Sequence, residues 1–145
     1  MAKPRYHMLA SATVAQVLAV GTRGRPRWLA SLLGGFFIDA DHLIDYAIRR
    51  VWPSRRVLVL PIHSWEFAKG LGLLAVVRRR PWLTALAASF AVHLLMDQFS
   101  SSTGHPMRYF IGYRLARRFD PSLFSSKPRE DDWITAPIHR IWRWF

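Results

Sequence analysis

Four mainly apolar stretches, separated by turns rich in arginine, glycine or proline, organise the chain. The first, Met8 to Val20, predicts a helix from about Tyr6 to Val20 that stops at Gly21. Gly24 and Pro26 break the basic turn that follows. A second helix is expected from Trp28 to Val51, closed by Pro53, with Ser31, Gly34 and Gly35 small enough to admit a neighbouring helix. Residues 54–62 read as an extended connector, because Val57 to Leu60 has no partner strand and Pro61 follows. A third helix begins after His63 or Ser64 and reaches Val77. Ser64 suits an N-cap, although Phe67 stands where a capping box has Glu or Gln. Pro81 fits the first turn of a fourth helix, Trp82 to Phe99, which ends at the run from Ser100 to Gly104. A shorter fifth helix is expected near Met107 to Arg118.

The fold class is therefore all-α: a single domain, residues 1–145, with four main helices in a bundle (core 6–118) and an aromatic, basic tail at 119–145. Trp133, Trp142, Trp144 and Arg143 make that tail an interfacial, amphipathic segment. Residues 1–24 also resemble a leader, with Lys3 and Arg5 ahead of an apolar run; His7 and a poor cleavage pattern favour retention as helix 1.

Polar residues interrupt these runs where they are costly. Asp39, Asp41, His42 and Asp45 fall inside the second stretch, and His93 and Asp97 close the fourth. A desolvated carboxylate must protonate, pair or bind a metal. The spacing places His93 and Asp97 on one helical face; Asp41 and Asp45 share another, as do Asp39 and His42. If helices alternate in direction, Asp39 and His93 each lie roughly 16 Å into their helices, at one level. His7 and His63 then arrive at the same end.

Composition sharpens this picture. The net charge is +12, yet apolar residues make up 51% and aromatics 14% of the chain, a combination that fits membrane association. No cysteine is present, so a disulfide framework and a thiolate metal site are excluded. Histidine and carboxylate must supply any metal ligands, which suits Zn2+, Mn2+, Fe2+ or Mg2+. Arginine accounts for all but Lys3, Lys69 and Lys127 of the 21 basic residues, and the surplus fits anionic lipid headgroups, phosphate-bearing substrates or nucleic acid. His105 and His139 stand in polar or amphipathic settings and are not expected as ligands.

The order His7, Asp39-Ala40-Asp41-His42, His63-Ser64, His93-Leu94-Leu95-Met96-Asp97 and then Ser100 to Gly104 resembles the membrane-bound metal-dependent hydrolase family, described as LexA-regulated or LexA-binding inner-membrane hydrolases. The likeness covers about residues 7–110. Ile38 replaces the family's proline, and Leu58 stands where the first histidine of its third motif falls. The His-x-x-x-Asp element is also similar to part of zinc-dependent phospholipase C.

The resemblance implies a hydrolase of a bacterial-type inner membrane, in which a divalent metal, zinc foremost, activates water against an ester or phosphoester. The expected ligands are Asp41, His42, His93 and Asp97, with His7, Asp39 and His63 as further ligands or supports. Asp45 or Glu66 is the expected general base. Arg49, Arg50, Arg55 and Arg56 are the expected phosphate-binding residues, with a phospholipid or similar anionic ester as substrate. The alternatives are a non-catalytic membrane protein with a structural metal or polar network, and an arginine-rich nucleic-acid-binding protein.

Overall fold

The computed structural model describes residues 4–51, 58–100 and 104–124, and all its regular structure is helical. Helix α1 covers Pro4–Gly21, α2 Trp28–Gly35, α3 His42–Val51, α4 Trp65–Arg78, α5 Pro81–Ser100 and α6 Ile111–Ala116. Short 3-10 turns form at Phe37–Asp41 and Pro121–Leu123. The expected interfacial segment beyond residue 124 lies outside the described residues, as does His139.

Helix α5 is the axis on which α1, α2 and α4 pack. Its 20 residues extend about 30 Å. Contacts along it fix the directions of its neighbours. Gly34 lies against Leu86 and Gly35 against Ser89, so α2 runs with α5. Phe67 stacks near Phe90 while Ala75 packs with Leu83, so α4 runs against it. His7 reaches Asp97, and Ala15 borders the same cleft as Ala85, so α1 also runs against it. The α1–α2–α5 interface is made of small residues (Ser11, Ala15, Ala30, Ser31, Gly34, Gly35, Ala85 and Ser89), all buried. Small side chains let backbones approach, so packing rather than bulk holds these helices.

The expected continuous helix from Trp28 to Val51 does not form. Helical geometry ends at Gly35, and Phe36 takes φ −121° and ψ −50° before the chain tightens into the 3-10 turn. Consecutive glycines resist helix propagation, each by about 1 kcal/mol relative to alanine. Close packing on α5 explains why glycine is kept there despite that cost. The expected fifth helix is likewise shorter, only Ile111–Ala116.

The larger apolar core lies toward the C-terminal half of α5. Ile38, Leu58, Leu60, Phe90, Leu94, Tyr109, Leu123 and Phe124 pack there, joining the 58–64 connector to the 105–124 segment. Leu58 is fully buried in this cluster, where it packs as part of the core. Two buried arginines tie the segments together. Arg114 donates to the carbonyls of Val59, Leu60 and His63 at 2.6, 2.9 and 2.9 Å. Arg108 donates to the carbonyls of Asp97 and Gln98 at 2.9 and 2.7 Å, satisfying the otherwise open end of α5.

Two glycine substitutions separate these effects. A Cβ at Gly34 would run into the Leu86 backbone, which cannot move aside, so Gly34→Ala should destabilise by roughly 1–3 kcal/mol. Gly72, in α4, has open space around its Cβ position, so Gly72→Ala should stabilise by up to about 1 kcal/mol. Thermal or denaturant unfolding of the two variants beside the wild type checks the opposite signs.

Candidate metal centre

The break after Gly35 delivers the site. A helix continued through this point would engage the Gly35 carbonyl in its own ladder. Here that carbonyl lies 2.9 Å from His93 Nδ1 and receives its N–H. The 3-10 turn then carries Asp39 and Asp41 to different jobs. Asp41 is buried and faces the connector, where its Oδ2 accepts from the backbone N–H of Ile62 and of His63, both at 3.2 Å. The same carboxylate stands 2.9 Å from His63 Nδ1. Three contacts to one dipeptide fix the His63 ring, while Arg114 holds its carbonyl and the Ser64 N-cap starts α4 just beyond it.

With both Nδ1 atoms occupied as donors, the neutral tautomers of His63 and His93 turn bare Nε2 lone pairs inward. Those two nitrogens are 2.8 Å apart. Asp39 Oδ1 lies 3.3 Å from His63 Nε2 and 3.5 Å from His93 Nε2. Asp97 Oδ2 lies 3.9 and 3.5 Å from the same two nitrogens. These four donor atoms all fall within 4.8 Å of one another. Four ligands about 2.0–2.1 Å from a tetrahedral metal stand about 3.3–3.4 Å apart, which is the middle of this set of distances. The donor set of two imidazoles and two carboxylates therefore fits a divalent ion, and the residues that can hold one are Asp39, His63, His93 and Asp97.

The other histidines surround this group. His7 is buried, stacks on His93 with ring centroids 3.9 Å apart, and places Nε2 3.2 Å from Asp97 Oδ1. It orients the carboxylate from the far side, as a hydrogen-bonding support does in metal sites. His42 Nε2 is 3.7 Å from Asp39 Oδ1. Asp41, His42 and His63 form a second trio of possible ligands, sharing His63 with the first group. The Asp39 and His42 side chains retain 28% and 19% of their exposure, whereas His7, Asp41, His63, His93 and Asp97 are closed off. Solvent thus reaches the cluster from the Asp39–His42 edge.

The electrostatics describe a site short of positive charge. Burial opposes protonation of His63, but hydrogen bonds and charge from Asp39 and Asp41 outweigh it and push its pKa up to about 10. Burial and the charge of His63 push His42 down to about 4. Burial likewise opposes ionisation of Asp39, but the His63 hydrogen bond and neighbouring imidazoles hold its carboxyl below the ordinary range. Three carboxylates meet here with imidazole partners, and without a metal a proton on His63 has to supply the missing cation.

The sequence placed Asp41, His42, His93 and Asp97 foremost as ligands, with His7, Asp39 and His63 behind them; the structure gathers Asp39 and His63 with His93 and Asp97, and sets Asp41 and His42 with His63 in the second trio. Glu66 is engaged elsewhere, its carboxylate accepting from the N–H groups of Ile111 and Gly112 at 3.0 and 3.3 Å. The side chains of Asp45, Arg49 and Arg50, and the whole of Arg55 and Arg56, lie outside the described residues. His105 pairs with Tyr113, its Nε2 3.2 Å from the phenolic oxygen. The Gly35 carbonyl, Arg108 and Arg114 escaped the sequence reading. Only the glycine pair carried a signal, and that signal concerned packing.

No protein-family model, curated protein or solved structure matches the chain. The geometry is its own evidence.

Two measurements probe this arrangement. Asp41→Asn keeps the shape but weakens the hold on the His63 ring, and should lower metal affinity roughly 10–100-fold by competition titration. In chelator-treated protein, the raised His63 value stabilises the fold fully below its ordinary 6.5 and ceases to do so as pH rises through about 10. The unfolding midpoint should therefore fall across that window, and His63→Gln should flatten the profile.

Proposed function

We propose that this chain is a metal-dependent hydrolase of the membrane surface, acting on an ester or phosphoester. The observation that carries the reading is the pair of inward Nε2 atoms on His63 and His93, each with its other nitrogen tied, flanked by Asp39 and Asp97. Structural polar networks do not require two acceptor nitrogens to face each other; ligand sets do.

A divalent ion held there supplies Lewis acidity toward a substrate oxygen and makes water a competent nucleophile near neutral pH. The chain's own residues do the rest. Asp41, the Gly35 carbonyl and His7 orient the ligands. The Asp39–His42 edge admits the substrate, and His42 stands at that edge as the proton acceptor. Asp45, three residues further along α3, remains a second candidate base, and Arg49, Arg50, Arg55 and Arg56 continue from α3 as candidate phosphate contacts. Zinc suits the ligand set best, with manganese, iron or magnesium as other occupants. Membrane association draws support from α5, the one described helix long and apolar enough to cross a bilayer.

One observation favours a second reading, a metal-free network. A protonated His63 can donate to His93 Nε2 across 2.8 Å while lying between Asp39 and Asp41, which satisfies the cluster without an ion.

Elemental mass spectrometry on detergent-purified protein separates the two. Wild type should carry close to one divalent ion per chain, and the His93→Ala, Asp97→Ala double variant should carry none. If the wild type stays metal-free after resupply, the hydrolase reading falls and the network stands. Given metal, a panel of phosphomonoester, phosphodiester and carboxylic ester substrates should show turnover that His93→Ala abolishes. His42→Gln should retain metal but lose about 100-fold or more in kcat.

A further inference from the structure

The opposite end of the helix pack has a different chemistry. The turn between α1 and α2 holds Arg23, Arg25 and Arg27, and the junction of α4 with α5 holds Arg78, Arg79 and Arg80. All six are exposed. Arg25, Arg27 and Arg79 border a cleft of about 320 Å³ whose apolar walls include Leu18 from α1 and Val76 from α4. Among the described residues, neither an acidic nor an aromatic side chain lines it. Along α5 the cleft lies about 12–18 Å from His93 and Asp97, so it is separate from the candidate metal centre.

Two further observations bear on its ligand. Arg79 ends α4 in the left-handed conformation at φ 49°, and Arg23 follows α1 at φ 51°. Glycine is the residue favoured at such positions, so replacing Arg79 by glycine costs the backbone nothing. Around the arginines, Val20, Leu29, Val76 and Val77 are each about two-thirds exposed or more, and Trp28 and Trp82 stand half-exposed beside the two turns. Aliphatic surface below a collar of arginine and tryptophan is the pattern of a protein surface at the headgroup layer.

We propose that this arginine-lined cleft binds the phosphate of an anionic phospholipid, with the neighbouring exposed aliphatic side chains in the acyl layer. Guanidinium groups match phosphate oxygens in pairs of hydrogen bonds. The apolar walls take the start of an acyl chain. A single-stranded nucleic acid is the competing occupant, because Trp28 and Trp82 beside the arginines offer faces on which a base could stack, and an oligonucleotide arm separates the two.

Native mass spectrometry of the full chain in detergent tests this, with added phosphatidylglycerol or phosphatidylcholine of identical acyl chains. Wild type should retain phosphatidylglycerol at least tenfold better. Each arginine near an anionic surface contributes roughly a fivefold effect, so Arg25→Gln, Arg27→Gln, Arg79→Gln together should reduce that retention on the order of 100-fold. Arg79→Gly relieves the left-handed backbone, so it should melt no lower than wild type yet retain phosphatidylglycerol about fivefold less well, an outcome that also decides the matter if the triple variant fails to fold. Arg117→Gln, Arg118→Gln, at exposed positions after α6, should change nothing, and metal content should match wild type in every variant. Equal retention of the two lipids, an unaltered preference in Arg79→Gly, or displacement of the lipid by a stoichiometric oligonucleotide would overturn the proposal.

Discussion

Two imidazole nitrogens 2.8 Å apart, each on a ring whose other nitrogen already donates, cannot both keep their lone pairs without something positive between or beside them. That constraint governs the polar end of the molecule. It can be met by a proton, which the carboxylates Asp39 and Asp41 hold on His63 with a pKa of about 10, or by a divalent ion among Asp39, His63, His93 and Asp97. An ion carries twice the charge and meets four donors at once, whereas the proton satisfies one nitrogen pair. The arrangement of donors around a common point is what tips the reading toward the ion.

The fold spends several unusual features on keeping those nitrogens in place. Helix α2 stops early, and the interrupted ladder leaves the Gly35 carbonyl free for His93. Asp41 is committed to His63 and its backbone, and Arg114 fastens the same connector from beneath through three carbonyls. Buried guanidinium and carboxylate groups are expensive to desolvate, and hydrogen bonds to carbonyls and N–H groups offset that cost. Gly34 and Gly35 also let α2 and α5 approach until the carbonyl is within reach. Packing and site geometry are thus the same interaction viewed from two sides.

How much of this was legible in the sequence depended on whether local rules decided it. Helices α1, α4 and α5 follow apolar runs and clear stop signals, and Ser64 caps α4 as its type predicts, accepting from Phe67 N at 3.1 Å. The convergence of His7, His63, His93 and the aspartates followed from alternating helix directions. The division of labour between Asp39 and Asp41 was not legible, because it depends on the 58–64 connector, which sets His63 between them with Asp41 at Nδ1 and Asp39 at Nε2. The spacing rule itself held where it can be followed: Asp39 stands 3.7 Å from His42 and His93 3.5 Å from Asp97. Leu58 is fully buried among Ile38, Phe90 and Leu94, and the same connector supplies His63; the other donors come from the 3-10 turn and the second half of α5.

Charge distribution also constrains how the site fills. An ion held at His63 Nε2 would need that nitrogen free, so the proton the carboxylates favour there would have to be released. Metal and proton compete for one lone pair, and affinity rises with pH until His63 loses its proton unaided. The buried carboxylates make neither state dispensable: with both absent, uncompensated negative charge would remain where solvent reaches only the Asp39–His42 edge. A proton on His63 would thus hold the cluster in the arrangement that Asp39, His63, His93 and Asp97 would offer an ion.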